Sequence, residues 1–449
     1  METERIGNGR ILMAVGLATL LLCASFAHAA PLLLDVRSEN RRVLVPGPGD
    51  GTIQIQVIAP DDPVIRTDRP RLNLALVIDR SGSMAEARKL DFVKTAAHHL
   101  VDMMGPDDLL SIVTYSQRVE IPLPSRPVGR DREELHQIIS RLYPGGSTFL
   151  SGGLEEGFRQ ARAGKRRGTL NRVLLLSDGL ANVGVTNRGA LRERAGDMAE
   201  NGISVSTFGV GNDFDEELMT RIAAGGGGRY RYLGDPERIV AALESEFHTA
   251  SRTAASEVEI IIRLKRECRF GSVLGRDWRR DGDAYVIRLG DLSAGERRTV
   301  FAKVNVAGEG AGLREVGDVA LRYRDPVTSK GITGSAKAVS LELVRDERVY
   351  REGFDRAVQE KRAVAEANVL VQEAARLADQ GKKEEAKGML GKAAAGLAAA
   401  PPSPAVRAEM DHANRYKDTL DTMGDMSSEA AKGAQKATKF RAYEMLQQR

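Results

Sequence analysis

Between residues 71 and 250 the chain alternates short, continuous apolar runs with longer stretches whose apolar positions recur every three to four residues. The runs at 72–79, 109–115, 173–177, 203–210 and 229–233 predict strands. The periodic stretches at 87–104, 130–142, 150–163, 188–200 and 216–224 predict helices, and Asp235-Pro236 marks the start of a last one. Uninterrupted apolar strands alternating with amphipathic helices specify a mostly parallel sheet covered on both faces. The run at 119–123 follows Tyr115 too closely for a crossover, so it returns antiparallel as an edge strand. Right-handed crossovers then give an α/β doubly wound sheet.

The pattern changes on either side. Over residues 30–70, candidate strands lie at 32–36, 42–45 and 52–58; in the last, Ile53, Ile55 and Val57 alternate with Gln54 and Gln56. Residues 251–345 return to strands at 258–264, 285–289, 300–306, 319–323 and 339–344, separated by turns such as Arg280-Asp281-Gly282-Asp283. That is the pattern of an antiparallel β-sandwich. The N-terminal strands are too few to close a core, so both flanks are expected to build one sandwich with the α/β domain inserted. Residues 346–449 are alanine-rich and helical, at 348–380, 383–400 and 405–423, broken by Gln380-Gly381-Lys382 and by Pro401-Pro402-Ser403-Pro404. No 34-residue period repeats, so this region reads as a lone helical hairpin and a third helix, its charged face turned to solvent.

Residues 1–29 stand outside this plan. Arg5 and Arg10 precede an apolar run over 11–23, and Ala27-His28-Ala29 has the small-x-small form of a cleavage site. Together they read as a secretory signal peptide; the run is too short for a bilayer span. The protein is therefore expected to be exported, periplasmic or extracellular. Cleavage would remove Cys23 and leave Cys268 as a lone thiol, so no internal disulfide would hold the fold. With 42% hydrophobic and 29% charged residues the chain is globular, and a net charge of +4 provides no long polybasic surface for nucleic acid. The six histidines form no zinc-binding pattern.

One constellation carries chemistry. The apolar run 74–78 enters Asp79-Arg80-Ser81-Gly82-Ser83-Met84, which places an acid and two hydroxyls on a tight loop. Gly145-Gly146-Ser147-Thr148 presents another hydroxyl before a helix, and a second buried strand ends in Ser177-Asp178-Gly179. This arrangement resembles the von Willebrand factor A family, whose metal-ion-dependent adhesion site uses D-x-S-x-S, a later threonine and an aspartate in a D-G pair. The resemblance places the metal site on Asp79, Ser81, Ser83, Thr148 and Asp178. It implies that Ser81, Ser83 and Thr148 bind the ion directly, and that Asp79 and Asp178 act partly through waters. In the expected strand order 3-2-1-4-5-6, Asp79 and Asp178 end the first and fourth strands, on either side of the switch point where such sheets bind ligands. Carboxylates and hydroxyls are hard oxygen donors, suited to Mg²⁺, with Mn²⁺ or Ca²⁺ possible.

Other features are discounted. Gly225 to Gly228 lacks the lysine and following helix of a phosphate loop, Asp213-Phe214-Asp215-Glu216-Glu217 reads as an acidic helix start, and His98-His99 face different directions. Cys268 reads as a buried small hydrophobe, and the basic stripe Arg263, Lys265, Arg266, Arg269 as a solvated face. The expected function is non-enzymatic, metal-dependent binding of a protein partner that presents a carboxylate to the ion. The rivals are a metal-assisted hydrolase, against which no G-x-S-x-G elbow or nucleophile-paired histidine is found, and an assembly or chaperone factor.

Overall fold

The computed structural model describes residues 31–448 except 48, 62–68, 236, 309 and 423–427. The proposed signal segment therefore lies outside the described residues. Strands β1 (Leu33–Ser38), β2 (Arg42–Leu44) and β3 (Asp50–Ile58) open the chain. An α/β unit follows: β4 (Arg71–Asp79), a 3-10 turn at Gly82–Arg88, α1 (Lys89–Met103), β5 (Leu109–Tyr115), β6 (Val119–Pro127), α2 (Glu133–Ser140) and α3 (Leu150–Gly164). It continues through β7 (Thr169–Ser177), α4 (Arg188–Glu200), β8 (Ile203–Val210), α5 (Glu216–Gly225), β9 (Gly227–Leu233) and α6 (Arg238–Ser251).

These strands form one sheet in the order β6-β5-β4-β7-β8-β9, parallel except for the antiparallel edge strand β6. Leu74, Leu76 and Ile78 of β4 point into one apolar layer with α1 and α6. Ala75 and Val77 point into the other, with α3, α4 and α5. A strand buried on both faces has no room for polar alternation, which is why β4 and β7 read as continuous apolar runs.

Eight strands follow: β10 (Thr253–Leu264), β11 (Cys268–Val273), β12 (Arg279–Asp281), β13 (Ala284–Ser293), β14 (Arg297–Val306), β15 (Gly312–Arg324), β16 (Gly331–Thr333) and β17 (Lys337–Val344). One sheet runs β1-β3-β14-β11 and the other β12-β13-β10-β15-β17-β2, with β16 beside β15. Strand β3 lies between β1 and β14, interior to its sheet, while β1 and β2 are edge strands of the two sheets. Ile53, Ile55 and Val57 share its core with Ile260, Ile262, Val300, Val304 and Leu321. The pairing of β17 with β2 is parallel, which corrects the expectation of an all-antiparallel sandwich. The short strands β12 and β16 carry mostly exposed polar or glycine positions and leave no period-two signal, and in β11 only Cys268 and Phe270 alternate toward the core.

The C-terminal region departs furthest from expectation. The helix expected over 348–380 is two, α7 (Glu347–Arg351) and α8 (Arg356–Asp379). Gly353 packs against Asn40 and Arg42, where a Cβ would clash, and Asp355 caps α8 by accepting from the Ala357 and Val358 amides. After α9 (Lys383–Ala398) and α10 (Pro404–Thr422) comes a helix not foreseen, α11 (Glu429–Gln448). It packs on α8, completing a cluster with Ala374, Leu390, Tyr416 and Ala442 in place of a lone hairpin. Its other face lies on the α/β unit, where Tyr443 and Phe440 join the layer containing Tyr230 and Phe214. Lys432 pairs with Asp213 at 3.0 Å and Lys439 with Glu216 at 3.4 Å. The charged face of this region is thus partly an interface. No helix among the described residues is long and apolar enough to cross a membrane.

Candidate metal centre

The carboxyl ends of β4 and β7 are adjacent, and the site is built on the two turns that leave them. Asp79, fully buried, closes β4. Its Oδ1 accepts from the Ser81 amide at 2.8 Å and its Oδ2 from the Ser177 hydroxyl at 2.7 Å. Asp178 follows β7; its Oδ1 accepts from Ser83 Oγ at 2.8 Å and its Oδ2 from Lys89 Nζ at 2.7 Å. Ser81 Oγ and Ser83 Oγ lie 3.2 Å apart. Burial pushes the Asp79 carboxyl up to about 6; hydrogen bonds from Ser81 and Ser177 oppose the rise, and the Asp178 charge adds to it.

The glycine loop brings in Thr148. The Gly145 amide donates to Arg80 O at 2.6 Å and the Gly82 amide to Gly146 O at 3.0 Å, stitching this loop to the one after β4. Gly146 has φ +88°, and a Cβ there would press on Ser116. Thr148 is held through its backbone: its amide donates to Asn182 Oδ1 at 2.9 Å, and its carbonyl accepts from the Asn182 amide at 3.2 Å. A Cβ on Gly179 would lie 3.3 Å from Thr148 Oγ1 and 3.8 Å from Ser83 Oγ. The hydroxyls of Ser83 and Thr148 therefore border a hollow that exists because residue 179 has no side chain.

All five residues singled out from the sequence thus lie on converging loops. This donor set fits a small hard cation: hydroxyls border a hollow, and behind them are two carboxylates already held by protein donors. Ser81, Ser83 and Thr148 can hold the ion, with Asp79 and Asp178 oriented to balance its charge. Among the described residues no cluster of three or more His, Cys, Asp or Glu has metal-holding geometry.

Two residues of the site were not anticipated. Ser177, the last residue of β7, reads only as a strand end. Lys89 had a signal: with Val93, Ala96, Ala97 and Leu100 it lies on the buried stripe of α1, where a lysine needs a partner. The discounted features stay apart from the centre. Asp213 pairs with Lys432 and Asp215 caps α5; Lys265 pairs with Glu315. His98 Nδ1 lies 2.7 Å from His136 Nδ1, and His99 reaches Glu244 at 3.3 Å. Cys268 is half-buried on the edge strand β11, not fully buried as expected. A cleft of about 870 Å³ lies at the opposite strand ends, beside Thr169, Ile203 and Arg322.

The chain is similar to known proteins along this same unit. Residues 73–244 match the family described as von Willebrand factor type A domain. The uncharacterized protein YfbK of Escherichia coli is 31% identical over 256 residues, 54% of this chain and 43% of that protein. The uncharacterized protein sll0103 of Synechocystis sp. is 27% identical over 270 residues, 58% of this chain and 63% of that one. The chain thus matches only about half the length of these curated relatives. Among solved structures, a von Willebrand factor type A protein from Catenulispora acidiphila superposes with a TM-score of 0.73 at 15% identity, covering 91% of this chain and 96% of its own. That likeness extends the shared fold to the sandwich and the helices. Residues 73–244 of this chain are a von Willebrand factor type A domain.

Proposed function

We propose that Asp79, Ser81, Ser83, Thr148 and Asp178 form a complete metal-ion-dependent adhesion site, and that the protein is an exported, non-enzymatic module that binds a protein partner through the ion. The observation that carries this reading is the hollow over Gly179, bordered by Ser83 Oγ and Thr148 Oγ1. Mg²⁺, or Mn²⁺ in its place, would supply a Lewis-acidic position that a partner carboxylate can fill. The rim favours a protein over a small solute. Leu180, 58% exposed, follows Gly179, and Tyr143, 65% exposed, stacks beneath the Arg80 guanidinium at 5.2 Å. Exposed apolar side chains around a charged centre suit a macromolecular contact. A non-enzymatic role is supported by the carboxylates: each oxygen of Asp79 and Asp178 already accepts a protein hydrogen bond, which leaves neither placed as a general base.

The test is capture of a cell-envelope partner by the full chain, in Mg²⁺ and in chelator, for the native protein and for Thr148→Ala. Binding that needs both the ion and Thr148 supports the reading. Binding that survives chelation and the substitution removes the metal site as the recognition surface. Export is tested by intact-mass measurement, with a mature chain beginning at Ala30 or Pro31 as the expected result.

A further inference from the structure

The lysine inside the metal centre is the least expected feature of the site. Lys89 is 6% exposed, and its ammonium meets the fully buried Asp178 carboxylate at 2.7 Å. It cannot easily swing away. Gly211, at φ +72° on the turn after β8, lies against its end: a Cβ there would be 3.1 Å from Lys89 Cε and 3.5 Å from Nζ. Lys89 lies on the buried stripe of α1 with Val93 and Ala96.

We propose that Lys89 sets the charge of the centre so that the ion is held most firmly when an anion joins it, which makes Lys89 a specificity-determining residue for an acidic partner. This rests on the reading that a divalent cation occupies the cradle of Ser81, Ser83 and Thr148. Two carboxylates alone would fully neutralise such an ion. With the Lys89 ammonium in place the protein side carries a net charge of −1, so the ion leaves the centre with an excess of +1. In a buried setting like charges repel strongly, so the ammonium weakens the bare ion. The same excess favours any carboxylate that completes the coordination shell. Asp178 does not need a lysine merely to hold its place, because Ser83 Oγ already donates to it at 2.8 Å. The cost of binding a bare ion is thus coupled to a gain in anion affinity, and by linkage each ligand promotes the other.

The experiment uses the full chain and three variants. Lys89→Met removes charge and donor, Lys89→Gln removes charge but keeps a donor, and Lys89→Arg keeps the charge. Mn²⁺ affinity is read by electron paramagnetic resonance of the free ion. Acetate affinity is read on the Mn²⁺-loaded protein from the loss of ion-bound water in proton relaxation. Melting in chelator shows which variants are folded. The expected result is that Lys89→Gln and Lys89→Met bind Mn²⁺ at least tenfold more tightly and acetate at least fivefold more weakly. Lys89→Arg should stay within threefold of the native protein in both. A purely structural lysine would weaken both ligands together or leave both unchanged. Folded neutral variants with unchanged or weaker Mn²⁺ binding overturn the proposal while leaving the metal site standing. If the native chain binds no Mn²⁺, the metal site itself falls and this proposal falls with it. Should both neutral variants fail to fold, Lys89 is a structural residue and the proposal is overturned.

Discussion

The Tyr443 hydroxyl accepts a hydrogen bond from the Tyr230 main-chain N–H at 3.2 Å, and the two rings meet edge to face with centroids 5.7 Å apart. Tyr230 lies on β9, the edge strand of the α/β sheet, and Tyr443 on α11, the last helix of the chain. The C-terminal helix is thereby joined to the edge of the domain that carries the candidate metal centre.

That junction should be worth a large share of the fold's stability. Tyr443 is 7% exposed among Tyr230, Phe440 and the sandwich residue Arg276, whose Nη2 donates to Leu446 O at 3.0 Å. Truncating a buried aromatic typically costs about 3–5 kcal/mol, through lost burial and the cavity left behind. Tyr443→Ala is expected to lower the unfolding midpoint in urea accordingly and to speed amide exchange along α11. A change below about 0.5 kcal/mol, the scale of ordinary surface substitutions, would show that α11 is only loosely laid on the sheet.

A second prediction concerns the shared sandwich. Strand β3 lies between β1 and β14, and its Ile53, Ile55 and Val57 are fully buried. A fragment of residues 251–345 would lose that strand, leaving β14 with an open edge and an uncovered apolar face. It is expected not to unfold cooperatively. The fragment 71–250 retains every strand of its own sheet and should fold, though less stably than the whole chain because Phe440 and Tyr443 no longer cover Tyr230. Calorimetry of both fragments checks this; a cooperative transition for 251–345 would mean the N-terminal strands are dispensable.

The third prediction isolates the hollow. Gly179→Ala places a methyl group 3.3 Å from Thr148 Oγ1, 3.8 Å from Ser83 Oγ and 3.9 Å from Thr148 Cγ2, with no backbone atom among these nearest contacts. The fold should be nearly unchanged, with melting in chelator shifted by about 0.5 kcal/mol or less. Mg²⁺ or Mn²⁺ binding measured by titration calorimetry should weaken at least tenfold, about 1.4 kcal/mol. Native-like ion affinity in this variant would place the ion elsewhere.

Much of this was legible in the sequence because it is local. Continuous apolar runs define β4 and β7, and Asp79 and Asp178 stand at their carboxyl ends, so topology alone brings the two acids together. The donors of the site that escaped notice are not local. Ser177 donates to a carboxylate 98 residues away and Lys89 to one 89 residues away, and no spacing rule connects such pairs. Helix α11 failed to register for a related reason. It packs against α8, the sandwich strand β14 and the sheet edge β9 at once, so its apolar residues are spread around the helix and leave no single stripe. The short edge strand β12 is Arg-Arg-Asp and wholly exposed, and β11 turns only Cys268 and Phe270 inward before its register shifts, a run too short to stand out.

The last prediction follows from the buried Asp79 carboxyl. Its folded-state pKa is raised to about 6, chiefly by burial, from an ordinary value of 3.8. A raised acid binds its proton more tightly when folded, so its contribution to stability is fully present below pH 3.8 and is lost as pH rises through about 6. In chelator the protein should therefore lose roughly 3 kcal/mol between those limits from this group alone. A divalent ion reverses the balance, because it binds only the ionised carboxylate and so competes with the proton. The rise in melting temperature on adding Mg²⁺ should be small at pH 5, grow through pH 6 and level off above pH 7. Below the pKa, apparent ion affinity should fall about tenfold per pH unit. The Asp79→Asn variant carries no titrating group here and should abolish both the pH-dependent loss in chelator and the Mg²⁺ response. Thermal melts of the native chain and of the Asp79→Asn variant from below pH 3.8 to about pH 8, with and without Mg²⁺, decide the matter. A Mg²⁺ response that is constant across this range in the native chain would show that Asp79 does not titrate against the ion.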